Sequence, residues 1–195
     1  MVRAMVVNAD SPARPVSRAR VRNLVSAALV TALMAASGWI SIPLGTVPVT
    51  LQVFAVVLAA LLLPSAWAAA SLGVYLVLGT IGVPVFASGT AGLGVVLGPT
   101  GGYVLGFALA APLASLARES LERTGAAQLV ADAAAGVVAI AVIYALGWAQ
   151  LAVVAHLSAL QALLAGVAPF VVPDAIKAAA AITVATAVRR ATSGR

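Results

Sequence analysis

Apolar residues run along this chain in long blocks, and the breaks between blocks carry Pro, Gly, Ser and Thr. The blocks lack the period-two alternation of a barrel strand. Read in order, they predict six helices. Helix 1 covers about Arg22 to Trp39 and is followed by the loop Ile42-Pro43-Leu44-Gly45-Thr46-Val47-Pro48. Helix 2 covers about Thr50 to Leu63 and stops at Pro64-Ser65, because proline breaks the helical hydrogen-bond ladder. Helix 3 covers about Ala66 to Ile81, and an uncharged loop runs from Gly82 to Gly98. Helix 4 opens near Pro99 or Thr100 and ends before Arg118, helix 5 covers about Leu129 to Val154, and helix 6 about Pro173 to Val188.

A bilayer core is roughly 30 Å thick and takes about 20 apolar residues to cross as a helix. Backbone groups in lipid must be paired within the protein, which leaves helices or a closed barrel. The expected fold is therefore an all-α membrane protein, a six-transmembrane-helix bundle. Helices 2 and 6 are short, which predicts tilt or burial behind neighbours. Residues 1–22 are expected to form a disordered basic arm, residues 23–190 the six-helix domain, and residues 191–195 a tail. The run Leu24 to Ile42 is long for a signal-peptide core, and Ala35-Ala36-Ser37 matches a cleavage site only loosely, so the first span is expected to be retained.

Composition sharpens this picture. Charged residues make up 8% of the chain, against about 25% in a soluble domain. No Asp, Glu, Lys or Arg occurs from Asn23 through Ala117, which excludes a water-facing surface there. Cysteine is absent, so no disulfide or thiolate metal site arises. The single His156 reads as a loop or interfacial residue.

The net charge of +6 does not point to nucleic acid, because the arginines follow topology. In a six-helix arrangement both termini share one side. Arg3, Arg14, Arg18, Arg20, Arg22, Arg118, Arg123, Arg189, Arg190 and Arg195 all fall there. That side is expected to be cytoplasmic, aided by anionic membrane lipid.

The remaining cation, Lys177, falls on the other side, three residues after Asp174. Pro173 suits the first turn of a helix. Asp174 then sits at the positive end of the helix dipole, and Lys177 shares its face. A charge at mid-membrane costs about 2.5–3.5 kcal/mol on insertion scales, and ionisable residues kept there are functional candidates. The bland alternatives are a self-contained salt bridge or a lysine that snorkels to the surface. One ammonium and one carboxylate among uncharged loops suit a small, mostly apolar molecule with a few hydrogen-bonding groups. They do not suit a polyphosphate.

Other patterns carry less. Gly89-Thr90-Ala91-Gly92-Leu93-Gly94 lacks the lysine and the preceding strand of a phosphate loop. Gly98-Pro99-Thr100-Gly101-Gly102-Tyr103 opens helix 4 with exposed backbone N–H groups that can meet a ligand anion or carbonyl. Ala28, Ala32 and Ala36 recur every four residues on helix 1, a spacing that admits close helix approach, either within the bundle or from a partner. No HExxH, GxSxG or Ser–His set is present, so an intramembrane enzyme is disfavoured.

Three segments together resemble the BioY family, the biotin-specific substrate-binding subunits (S components) of energy-coupling factor transporters. They are Ile42 through Gln52, Gly79 through Phe107 with its Gly-Pro-Thr-Gly-Gly-Tyr core, and Pro169-Phe170 through Asp174 and Lys177. The resemblance spans roughly Leu24 to Arg190. It implies a vitamin held near the outer face under the loops joining helices 1–2, 3–4 and 5–6, with Asp174 and Lys177 on biotin. It implies further contacts from Gln52, Ser88 and Tyr103, with Phe86 and Trp39 packing on the thiophane ring and chain. It also implies that Ala28 and Ala32 meet a transmembrane coupling subunit, and that any ATP hydrolysis comes from other subunits, since this chain has no Walker motif; the sequence leaves open whether the chain also works without those partners. Biotin is then the cargo, and no cofactor is implied. The family usually has Pro-Gly before the Asp, where this chain has Val172-Pro173, so the entry into helix 6 is expected to differ. The competing readings are an S component for thiamine or riboflavin, and a membrane assembly protein that binds only helices.

Overall fold

The structure is a computed structural model that describes residues 17–193. The sequence expectations for residues 1–16 and for Gly194 and Arg195 lie outside those residues. Eight α-helices occur among the described residues: α1 Arg18–Trp39, α2 Gln52–Leu62, α3 Ser65–Thr80, α4 Leu93–Leu97, α5 Gly101–Arg123, α6 Gln128–Val154, α7 Ala159–Gly166 and α8 Val171–Ser193. Two-residue strands β1 Ser41–Ile42 and β2 Val49–Thr50 pair antiparallel between α1 and α2. Four segments are long and apolar enough to cross a membrane: α1, α5, α6, and α7 with α8 taken together. α2 and α3 are shorter apolar helices.

Several boundaries move for local reasons. α1 starts at Arg18, inside the stretch read as a disordered arm, because the Ser17 side chain accepts from the Arg20 N–H and caps the helix. The single connection expected between helices 5 and 6 contains α7, opened by a capping box in which Ser158 and Gln161 satisfy each other's backbone N–H groups. A short 3-10 turn, Ala168–Phe170, then leads into α8. α8 is 23 residues long, so the short sixth helix becomes a long one. Pro112 stands inside α5 without ending it, whereas Pro64 separates α2 from α3.

α2 explains the shortness read from the sequence. Nine of its 11 residues are buried, the signature of a helix that is apolar all round because it lies inside the protein. It packs on α1, α5, α6 and α8 and forms the axis of the bundle. Its neighbours are joined by polar groups as well as by packing. Thr31 on α1 and Ser71 on α3 meet at 3.0 Å, and Ser71 donates to the Ala27 carbonyl. Ser115 on α5 donates to the Leu63 carbonyl at 2.8 Å, and Glu119 accepts from the Ser65 N–H at the start of α3. Such bonds hold helices together where lipid removes the usual apolar driving force.

The described arginines gather at the end of the bundle formed by the start of α1, the α2–α3 turn, the end of α5 and the end of α8. Arg118 pairs with Glu122 at 2.7 Å. Arg189 on α8 pairs with Asp132 on α6, and Asp132 is 1% exposed. Gln128 also donates to Asp132, and Arg189 to the Leu61 carbonyl. Removing one member of a buried pair leaves the other unsatisfied, at about 1–3 kcal/mol. Asp132→Ala is expected to lower the thermal midpoint of the detergent-purified protein by several degrees. Glu122→Ala, whose side chain is 33% exposed, is expected to cost less than about 1 kcal/mol. Equal midpoints for Asp132→Ala and the parent would show that the α6–α8 pair does not brace the fold.

Candidate functional site

The opposite end of the bundle holds a cavity of about 250 Å³, just below the roughly 300–1,000 Å³ usual for small-molecule clefts. Its walls come from the starts of α2, α5 and α8, the middle of α6, and the loops around residues 46–50 and 87–95. Val53, Val104, Phe107, Ile143 and Phe170 make the wall largely apolar. Lys177 and Asp174 are the charged groups lining it.

Asp174 lies in the first turn of α8, where free backbone N–H groups and the helix dipole favour a carboxylate. Pro173 falls in that same turn, so its missing N–H removes no intrahelical bond. The substitution of Val172-Pro173 for Pro-Gly thus leaves α8 continuous from Val171 and Asp174 on the cavity wall. Lys177 Nζ donates to Asp174 Oδ1 at 2.7 Å, one helical turn away. Tyr144 on α6 donates its O–H to Asp174 Oδ2 at 2.8 Å. The carboxylate is 4% exposed and the lysine side chain 14%. Each carboxylate oxygen keeps lone-pair capacity beyond its one bond, and the ammonium keeps two of its three donors. The closed pair therefore still offers both acceptors and donors to a molecule in the cavity.

Gln52 heads α2 and is held on both sides. Its Nε2 donates to the Tyr75 hydroxyl at 2.6 Å, and its Oε1 accepts from Thr50 at 3.1 Å. Tyr103 heads α5 and donates to the Gly166 carbonyl at 2.7 Å. A Cβ at Gly147 would overlap the Tyr103 ring, so only glycine lets that ring lie against α6. Ser88 donates to Ser41 at 3.0 Å, tying the loop before α4 to β1. Its backbone adopts φ 57°, a conformation a non-glycine residue holds only under constraint from its surroundings. Gln150 on α6 fixes the end of the same lid by donating to the carbonyls of Val96 and Gly98.

Asp174, Lys177, Gln52, Ser88 and Tyr103, singled out in the sequence, all line this one cavity. Phe86 and Trp39 do not line it. Phe86 is fully buried behind the wall, edge-on to Tyr75 and pressed against Gly79, where a Cβ would overlap its ring. Trp39 is 63% exposed, lies over Gly89, and donates its indole N–H to the Pro84 carbonyl at 3.1 Å. Both brace the loop instead of facing the cavity. Ala28 and Ala32 are exposed on the outer face of α1. Tyr144 escaped the sequence reading because it stands in an unbroken apolar run with no motif around it. The apolar wall residues escaped it too, since a transmembrane helix is apolar on every face. No three His, Asp or Glu side chains gather as metal ligands among the described residues.

Residues 9–194 match the model of the BioY family. The chain is 39% identical over 170 residues to the biotin transporter BioY of Thermotoga maritima, a match that takes in 87% of this chain and 97% of that protein. It is 37% identical over 158 residues to the probable biotin transporter BioY of Pyrococcus horikoshii, with 81% of this chain and 90% of that one covered. Among solved structures, the crystal structure of the S-component for biotin from an ECF-type ABC transporter superposes with a TM-score of 0.83 at 25% identity, covering 90% of this chain and 94% of that chain. A family match that runs through every described helix, joined to a fold shared almost end to end, places the chain: it belongs to the BioY family.

Proposed function

We propose that this chain captures biotin in the cavity at the head of α8 and serves as the substrate-binding subunit of an energy-coupling factor transporter in the cell membrane. The observation that carries the reading is the Asp174–Lys177–Tyr144 cluster in a cavity whose wall is otherwise uncharged and largely apolar. Biotin has a ureido group, an apolar thiophane ring and chain, and a carboxylate. Asp174 accepts from ureido N–H groups, Lys177 donates to the ureido oxygen or the carboxylate, and the Val, Phe and Ile wall takes the ring and chain. Gln52, Ser88 and Tyr103 are the further polar contacts. The family relatives named as biotin transporters support the choice of vitamin over thiamine or riboflavin.

Counting α1, α2, α3, α5, α6 and α8 as six crossing elements puts both termini on the arginine-bearing side, which the excess of basic residues marks as cytoplasmic. The cavity then opens to the exterior. The β1–β2 hairpin and the loop around Ser88 lie over its mouth, so modest loop motion admits and retains the vitamin. In this reading, release on the inside follows docking on a transmembrane coupling subunit driven by ATPase subunits. The exposed Ala28 and Ala32 support α1 as the docking face.

Isothermal titration of the detergent-purified protein with biotin is expected to show binding; heat from thiamine or riboflavin with none from biotin would overturn the reading. Lys177→Ala is expected to weaken biotin binding by about 10- to 100-fold, the range for a hydrogen bond to a charged group. A variant that binds as tightly as the parent sinks the assigned site. Tyr144→Phe is expected to weaken binding by about fivefold through loss of the bond that orients Asp174. Trp39→Phe is expected to leave affinity within about twofold of the parent, because its ring lies outside the cavity; a larger loss from Trp39→Phe than from Tyr144→Phe would mean that the indole meets the vitamin. Since the chain has no cysteine, Leu44→Cys in the hairpin loop is a clean topology probe. It is expected to react with a membrane-impermeant maleimide on intact cells, and protection there with labelling only after lysis reverses the orientation.

A further inference from the structure

A second cleft, of about 640 Å³, lies at the arginine-bearing end, away from the Asp174 cavity. α1, α2, α5 and α8 form it, and its lining divides by chemistry. Arg22, Arg118 and Arg189 supply guanidinium groups at the polar end, with Glu119 as the acid among the lining residues. Leu29, Leu33, Leu58 and Leu62 supply an aliphatic wall. The cleft is open to its surroundings, since Leu29 is 66% exposed and Arg22 is exposed.

The cationic end retains donors. Arg118 spends Nε on the Ala60 carbonyl and one terminal nitrogen on Glu122, out of five N–H donors. Arg189 is engaged with Asp132 and the Leu61 carbonyl. Arg22 makes no hydrogen bond or ion pair among the described residues. Glu119 is held by the Ser65 N–H, by Ser115 and by Arg123 at 3.6 Å. Arg118 and Arg189 thus each have a carboxylate partner, in Glu122 and Asp132, and the Arg22 guanidinium is the cleft's charge without one among the described residues.

We infer that this cleft is a binding site for one anionic phospholipid, its phosphodiester headgroup among Arg22, Arg118 and Arg189 and an acyl chain along the leucine wall. The amphiphilic division of the lining calls for an amphiphile, and basic pockets between membrane helices on the cytoplasmic side suit anionic headgroups. The chain's own residues 1–16 make a poor occupant, because Arg3 and Arg14 outnumber Asp10 and repeat the charge of the cleft. A bound lipid would wedge α1 against the ends of α2, α5 and α8. This inference is independent of the biotin assignment.

The test is native mass spectrometry of the detergent-purified full chain titrated separately with phosphatidylglycerol, phosphatidylcholine and inorganic phosphate. One phosphatidylglycerol is expected to be retained, about tenfold more tightly than phosphatidylcholine, and inorganic phosphate at millimolar concentration is expected not to displace it. Arg22→Gln is expected to weaken phosphatidylglycerol about fivefold, one basic residue's share of the attraction, and Arg22→Lys to recover most of the loss. Arg20→Gln, an equal charge change on an exposed residue outside the cleft, is expected to stay within about twofold. Unchanged thermal midpoints show that the variants are folded. Equal retention of the two lipids, equal effects at Arg20 and Arg22, or displacement by inorganic phosphate each overturns the site. So does an assembled transporter in which a partner helix fills the cleft and no phosphatidylglycerol is retained.

Discussion

The ion pair between Asp174 and Lys177 governs the cavity end of this molecule, because an ionised group in a low-dielectric interior needs a partner and this chain supplies few. Within α8 the two side chains are one turn apart and close on each other, while Tyr144 reaches across from α6 to take the second carboxylate oxygen. That second bond changes what the pair can do. A lysine and an aspartate on one helix neutralise each other locally. A tyrosine from another helix holds the carboxylate at the cavity wall. The same constraint operates at the other end, where Asp132 and Arg189 join α6 to α8. α8 thus carries an ion pair near each end, and α6 meets the first through the Tyr144 hydroxyl and the second through Asp132.

Between these ends the bundle depends on α2. It is too short to cross a bilayer in the usual way, yet it begins with Gln52 on the cavity wall and its last turns reach the arginine-bearing cleft. Its burial requires small or apolar side chains on every face, and Val, Ala and Leu fill almost all of it. Gly147 of α6 and Gly166 of α7 make the corresponding allowance where Tyr103 packs. Helices therefore carry Asp174, Lys177, Tyr103 and Tyr144 of the cavity, and the loops carry Ser88. The hairpin and the Ser88 loop are tied together by the Ser88–Ser41 bond.

Much of this was legible in the residues, and for identifiable reasons. Lys177 stood out because every arginine followed the topology rule and it did not. Asp174 followed from it by helical spacing. Gln52, Ser88 and Tyr103 sat in segments whose family resemblance was specific. Phe86 and Trp39 came by the same route and lie off the cavity wall, since neighbourhood in a loop says nothing of which way a ring points. Phe86 turned inward onto Gly79 and Tyr75, and Trp39 lay outward over Gly89. α4 and α7 went unseen because helices of five and eight residues are too short to leave a periodic signal.

The sequence by itself determined the solvent this protein requires, the order of its long helices, the end at which its basic residues collect, and the one acid–base pair set apart from them. These are properties of composition and spacing, and they survive without knowledge of packing. Only the tertiary structure decided that α2 is the buried axis, that Tyr144 orients Asp174, that Asp132 meets Arg189 across 57 positions of chain, and which aromatic rings face the cavity. In a bundle whose helices are apolar on every side, the pattern that marks an inner face in a soluble protein is missing. Side-chain direction there is set by which helices touch, and that is a property of the assembled fold.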